Sequence, residues 1–156
     1  MIDIETVCNE VKSVIQSNIV AKLAEITTDK GDSLTLDAID TDAYFFQTLN
    51  QKTVNYNPFV YYGVAAIDGD SQGGQTVTAL DIFILVCISD EFQDLLIANK
   101  LFRYQRAIKE IFEETFDLPE SGVRVRVQNQ VPVDIRLSDS AEIHRVIGVT
   151  LRAELG

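Results

Sequence analysis

Two runs rich in β-branched and aromatic residues, 59–67 and 76–88, flank the acidic, glycine-rich link Asp68-Gly69-Asp70-Ser71-Gln72-Gly73-Gly74-Gln75. Val, Ile, Phe and Tyr suit a pleated, half-buried surface, and Gly and Asp tolerate the positive φ of a tight strand reversal. The pattern therefore predicts a long β-hairpin, a scaffold first and a docking device second. Its second arm carries Leu80, Ile82, Phe83, Ile84, Leu85, Val86 and Ile88 almost without interruption. Such a strand is expected to be covered on both faces, by core on one side and by a helix or a neighbouring subunit on the other.

The segments around the hairpin supply helix and further strand. Ile4, Val7, Cys8, Val11, Val14, Ile15, Ile19 and Leu23 recur at helical spacing and predict an amphipathic helix over residues 3–25, ending before the polar Thr27-Thr28-Asp29-Lys30-Gly31-Asp32. Leu34, Leu36 and Ile39 alternate as in a short strand, and the aromatic Tyr44-Phe45-Phe46 belongs to an irregular loop closed by Asn57-Pro58. Ser89 or Asp90 can cap a second helix with Glu91 and Asp94 in its first turn. Its buried face is expected from Phe92, Leu95, Leu96, Leu101, Phe102, Ile108, Ile111, Phe112 and Phe116, with room for a break at Ala98-Asn99 and an end at Pro119 to Gly122. Val123, Val125 and Val127 alternate with Arg124 and Arg126, and Val131, Val133, Ile135 and Leu137 alternate with Pro132, Asp134 and Arg136; a last strand spans residues 143–154. This order predicts an α+β fold: a mainly antiparallel sheet with a long β-hairpin, packed against two amphipathic helices on one face.

At 156 residues the chain suffices for one core and is read as a single domain over residues 1–156. No apolar run is long enough to span a bilayer, and Asp3 and Glu5 stand where a secretory leader would carry Lys or Arg. A soluble cytosolic protein is expected, with Cys8 and Cys87 as buried, reduced thiols. The net charge of −11 argues against wrapping a nucleic acid, because phosphate neutralisation drives that binding. Residues 1–99 carry four Lys, no Arg and fifteen acids, a net of −11, whereas residues 100–156 carry seven Arg, two Lys and nine acids, a net of zero. The asymmetry suggests one acidic and one mixed face, able to pair between copies, against the plainer alternative of one strand face that happens to be rich in Arg.

Candidate sites for chemistry are few. Asp68-Gly69-Asp70-Ser71-Gln72-Gly73 opens like a calcium loop, but its twelfth position is Ala79 in place of the bidentate Glu, so a hairpin tip is the better reading. No Lys and no helix start follow Gly69 to Gly74, which removes the case for a phosphate cradle. His144, the only histidine, would share a strand face with Glu142, yet nothing completes a nucleophile, base and oxyanion set with either residue or with Cys8. Arg124, Arg126, Arg136 and Arg152 form a potential basic stripe without interleaved aromatics, so pairing with Asp134, Glu142 or Glu154, or between subunits, is expected over nucleic-acid binding. No catalytic, cofactor-binding or metal-binding residue is assigned, and the chain is not read as an enzyme.

The N-terminal amphipathic helix, Asn57-Pro58-Phe59 leading into the paired strands, the glycine-rich tip, Tyr104-Gln105-Arg106-Ala107-Ile108 in the second helix and the closing strands through Leu151 together resemble the tail terminator, or tail completion, proteins of long-tailed bacteriophages. The likeness lies in element order over most of the chain and excludes residues 33–56. It implies a homo-oligomeric ring, commonly a hexamer, that sits on the tail tube protein, ends tube growth and offers a docking face to the head connector or stopper protein. Such a ring would belong to the neck of the virion, made in the host bacterial cytoplasm, with phage DNA passing through its lumen without tight binding and with no membrane or cofactor involved. Like charge on the channel wall would keep the duplex from sticking. On this reading subunit or channel contacts fall at Asp68, Asp70, Gln72, Arg124, Arg126, Arg136 and Arg152, with Asp68 and Asp70 at a rim or lumen. The alternatives are a connector or stopper ring of the same neck and a nucleic-acid-associated accessory protein.

Overall fold

In the computed structural model, which describes residues 1–47, 56–70, 76–89, 94–131 and 144–156, the chain forms α1 (Ile4–Lys30), β1 (Tyr44–Phe46), β2 (Phe59–Asp70), β3 (Thr76–Ser89), α2 (Asp94–Glu114), β4 (Asp117–Leu118), β5 (Val123–Val131) and β6 (His144–Leu155). The hairpin forms as its composition predicts. β2 and β3 pair antiparallel from Phe59 opposite Cys87 to Asp70 opposite Thr76, with register shifts after Val64 and Asp68. All six strands join one sheet in the order β1-β2-β3-β6-β5-β4, and every pairing is antiparallel except β1 beside β2. The fold is α+β, with both helices on one face of the sheet.

The core follows from the period of two along the strands. Leu80, Ile82, Ile84, Val86 and Ile88 of β3 are all buried, and their partners across β6, Ala153, Leu151, Val149 and Ile147, share that face. Against them α1 buries Val7, Val11, Ile15, Ile19 and Ile26, while α2 buries Leu101, Tyr104, Ile108, Ile111 and Phe112, in one continuous cluster. Each fully buried aliphatic side chain contributes roughly 2 kcal/mol, so this layer supplies most of the driving force.

Several elements differ from the sequence reading, each for a tertiary reason. α1 continues to Lys30 instead of stopping at Glu25 because Ile26 extends its buried stripe by another turn, and the Thr27 and Thr28 hydroxyls bond back to the carbonyls of Leu23 and Ala24, at 2.9 and 3.0 Å, without ending the helix. Gly31, at φ 61°, then ends the helix and donates its N–H to the Thr27 carbonyl at 3.1 Å. α2 runs unbroken through Ala98-Asn99 and stops at Glu114, before Pro119, leaving room for β4. Phe102, expected inside, is 58% exposed because the buried stripe runs 101, 104, 108, 111, and Phe116, 42% exposed, lies beyond the helix end. The expected strand over Leu34, Leu36 and Ile39 joins no ladder among the described residues; a ladder forms instead at the aromatic Tyr44-Phe45-Phe46, beside Val60, Tyr61 and Tyr62. The strand expected from Val131 to Leu137 lies outside the described residues beyond Val131, as do the caps at Asp90 and Glu91.

The two helices are bound by charge as well as by apolar contact. Lys22, only 6% exposed, reaches Glu114 at 2.7 Å, Glu25 at 3.1 Å and Glu110 at 3.9 Å. Further along, Arg106 bridges Asp29 at 2.8 Å and Glu110 at 2.9 Å, and the Arg103 guanidinium grips Asp32 with two nitrogens. Partners ascend along α1 as they descend along α2, so the helices run antiparallel. Near the start of α1, the buried Glu10 carboxylate accepts from the N–H groups of Glu120 and Ser121, at 2.9 and 3.0 Å, and from the Ser121 hydroxyl at 2.6 Å. It pins the β4–β5 turn to the helix layer.

On the face away from the helices, cross-strand glycines make room for large neighbours. Gly63 lies opposite Phe83 and Gly148 opposite Leu85, and a Cβ at Gly63 would meet the Phe83 ring at 2.9 Å. A Cβ at Gly148 would fall 2.0 Å from the Ile84 carbonyl oxygen and 2.7 Å from the Leu85 side chain. Gly148→Ala is therefore expected to destabilise the fold by about 3 kcal/mol or more, read as a lower urea midpoint.

Hydrogen bonds from Arg106 and Arg103 hold the Asp29 and Asp32 carboxyls below the usual carboxylate range. Carboxyls more acidic in the folded than in the unfolded state contribute stability above their unfolded pKa, near 4, which is lost as pH falls through the folded value. Urea midpoints should therefore decline below about pH 4, and the decline should be shallower for the Asp29→Asn, Asp32→Asn double variant; an unchanged slope would show that the seam does not govern acid stability.

Candidate functional site

β4 covers only the start of β5. Asp117 pairs with Arg124 and Leu118 with Val123, and the Val125 N–H donates to the Phe116 carbonyl at 2.8 Å. From residue 126 onward, β5 has no partner on that side among the described residues. Beside this edge lies an open groove of about 680 Å³, walled by Phe112, Phe116, Val125, Val127 and Leu155, by Arg124, Arg126 and Arg152, and by the acids Glu113 and Glu154. Apolar and cationic surface thus meet along an exposed strand edge, the setting in which an added strand gains backbone hydrogen bonds and side-chain selectivity together.

The three arginines of the groove have unlike surroundings. Arg124 reaches Asp117 at 2.9 Å, and its guanidinium carbon lies 5.4 Å from the centre of the Phe116 ring. Arg152 is held by Asp68, by Asp81 at 3.1 Å and by Glu154 at 3.2 Å, and these hydrogen bonds, led by that from Asp68, keep it charged beyond the ordinary arginine range. Arg126 stands directly opposite Arg152 in the β5–β6 ladder, is exposed and has no ion pair among the described residues. Like charges directly opposite one another are unfavourable; the acids around Arg152 offset this one, while no described acid lies within ion-pair distance of Arg126 itself.

Of the residues singled out from sequence, the structure brings together Arg124, Arg126, Arg152 and Asp68. Asp68 is exposed yet engaged by Arg152, so it belongs to the sheet surface and not to an isolated tip. Asp70 closes β2, and Gln72 and Arg136 lie outside the described residues, as do Asp134 and Glu142 and the side chain of His144. Glu154 does pair with Arg152, along the same strand. Asp81 and Asp117 as arginine partners, and Phe116 as a groove wall, are additions from the structure. Asp81 is the one acid within the apolar run of β3, and that irregularity was its signal; which arginine it meets depends on register, which sequence does not state.

The chain leading into β1, at the other edge of the sheet, exposes Asp40 and Asp42, while the exposed Asp37 stands at the helix layer, its carbonyl accepting from the Tyr104 hydroxyl of α2. Among the described residues no group of three His, Cys, Asp or Glu stands together to hold a metal, and no helix is long and apolar enough to cross a membrane. No protein-family model matches the sequence, and no curated protein matches it.

Burial raises the Cys8 thiol to about 11 and the Cys87 thiol to about 12, so both stay protonated at neutral pH. A thiol-specific chromogenic reagent at pH 8 is expected to label neither in the native protein and both after urea unfolding. Fast labelling of native protein would show a thiolate that this packing does not allow.

Proposed function

We propose that the protein is a ring-forming structural subunit of a bacteriophage neck, a tail terminator that caps the tail tube, ends its growth and presents a docking face to the head connector. The observation that carries this reading is the open edge of β5 with its mixed groove of Arg124, Arg126, Arg152, Glu113 and Glu154, while the sheet's other edge is β1, led into by the exposed Asp40 and Asp42. Surfaces that are unlike and separated cannot satisfy each other within one subunit, but they can do so head to tail between copies, the arrangement that closes into rings. Electrostatic complementarity of this type sets register and partner choice more than raw affinity.

Two further features support the reading. The surplus of eleven negative charges suits a lumen through which DNA slides, because a like-charged wall does not retain phosphate. The α+β core and its long hairpin provide rigid surface and extended edges, which an assembly component needs. Electron microscopy of phage particles produced without the protein tests the proposal. Overlong or headless tubes are the expected outcome; filled heads that lack tails and leak DNA would assign it instead to a stopper ring, and normal particles would remove it from the neck.

A further inference from the structure

The segment of residues 34–39 alternates as a strand in sequence yet joins no ladder. It passes without turn, bend or helix, and none of its backbone groups makes a backbone–backbone hydrogen bond among the described residues. It is nonetheless held in place: the Tyr104 hydroxyl donates to the Asp37 carbonyl, and Ile39 is buried. Thr35, Asp37, Ala38 and Asp40 remain exposed. Apart from the Leu34 N–H, held by Asp32, and the Asp37 carbonyl, held by Tyr104, the backbone groups of this ordered, strand-patterned segment make no hydrogen bond among the described residues, so it is pre-organised to add to a sheet edge with little conformational entropy left to lose.

A complementary surface is the open edge of β5. Residues 126–130 of β5 have no ladder partner on their outer side among the described residues, and Arg126 has no counter-charge there. We propose that residues 34–39 of one copy add as a strand to the open edge of β5 in a second copy, with Asp37 supplying the counter-charge to Arg126. The contact is heterologous and leaves each subunit with one used donor segment and one used acceptor edge, so it propagates around a closed ring. The inference deepens the ring reading by naming the mating surfaces, and it rests on self-association, not on the tail.

Sedimentation velocity over a concentration series tests it, with circular dichroism to confirm that each variant folds. Arg126→Glu alone and Asp37→Lys alone are each expected to weaken self-association by about tenfold or more, and the combined charge swap is expected to recover most of that loss. A fluorescent peptide covering residues 33–42 should bind the wild-type chain, bind Arg126→Glu at least about tenfold more weakly, and outcompete a scrambled peptide of the same composition. Self-association indifferent to Arg126→Glu, a swap without recovery, or a chain monomeric throughout would overturn the contact. Equal binding of the scrambled peptide would also overturn it, since any acidic strand would then serve. Capped tubes with an indifferent Arg126 would leave the terminator reading standing without this contact, whereas a confirmed contact with normal particles in the absence of the protein would do the reverse.

Discussion

Strand β3 sets the terms for the rest of the structure. Its apolar run, from Leu80 to Ile88, cannot lie in water on either edge or on its helix-facing side, so it takes β2 and β6 as neighbours and both helices as cover. β6 matches it residue for residue, placing Leu151, Val149 and Ile147 beside Ile82, Ile84 and Val86. With that central ladder in place, the remaining strands have only the flanks to occupy. The short β1 and β4 finish the sheet without covering its edges, which is how a stable core comes to coexist with open β5 backbone.

The helix layer is tied down by a second, electrostatic device. Apolar contact alone tolerates sliding of one helix past another, whereas Lys22, Arg106 and Arg103 each meet acids at one relative position of α1 and α2. Removing one partner of a nearly buried ion pair leaves the other charge uncompensated, so the seam specifies register more than it adds stability. Three of the basic residues that the charge balance makes scarce are thus committed inside the subunit, and Arg152 is committed to Asp68, Asp81 and Glu154. Arg126 is what remains uncommitted at the groove, and this gives the edge its polarity toward acidic partners.

The far face of the sheet shows the same economy. Tyr61 and Phe83 stack with ring centres 5.1 Å apart, and the glycines at 63 and 148 let Phe83 and Leu85 fold over their cross-strand neighbours. These residues are half-buried without any helix over them, so the apolar run of β3 is satisfied on this side largely from within the sheet. Within the subunit this side of β3 is covered in part by the sheet's own residues, which leaves it, like the edge of β5, accessible to a neighbouring subunit.

What the sequence by itself determined is periodic and local: the hairpin, the amphipathic stripe of α1, the alternating strands of the C-terminal third and the α+β class all follow from the spacing of apolar residues. It also marked Arg124, Arg126 and Arg152 as one stripe, because strand alternation already places Arg124 and Arg126 on one face. Only the tertiary structure decided the rest. That Tyr44-Phe45-Phe46 pairs while residues 34–39 do not, that α1 runs on to Lys30, and that Arg152 is enclosed by acids while Arg126 is not depend on which distant elements arrive alongside, and register between strands carries no local signature. Burial and charge pairing are properties of neighbours in space, so residues with the same period in sequence end with opposite roles.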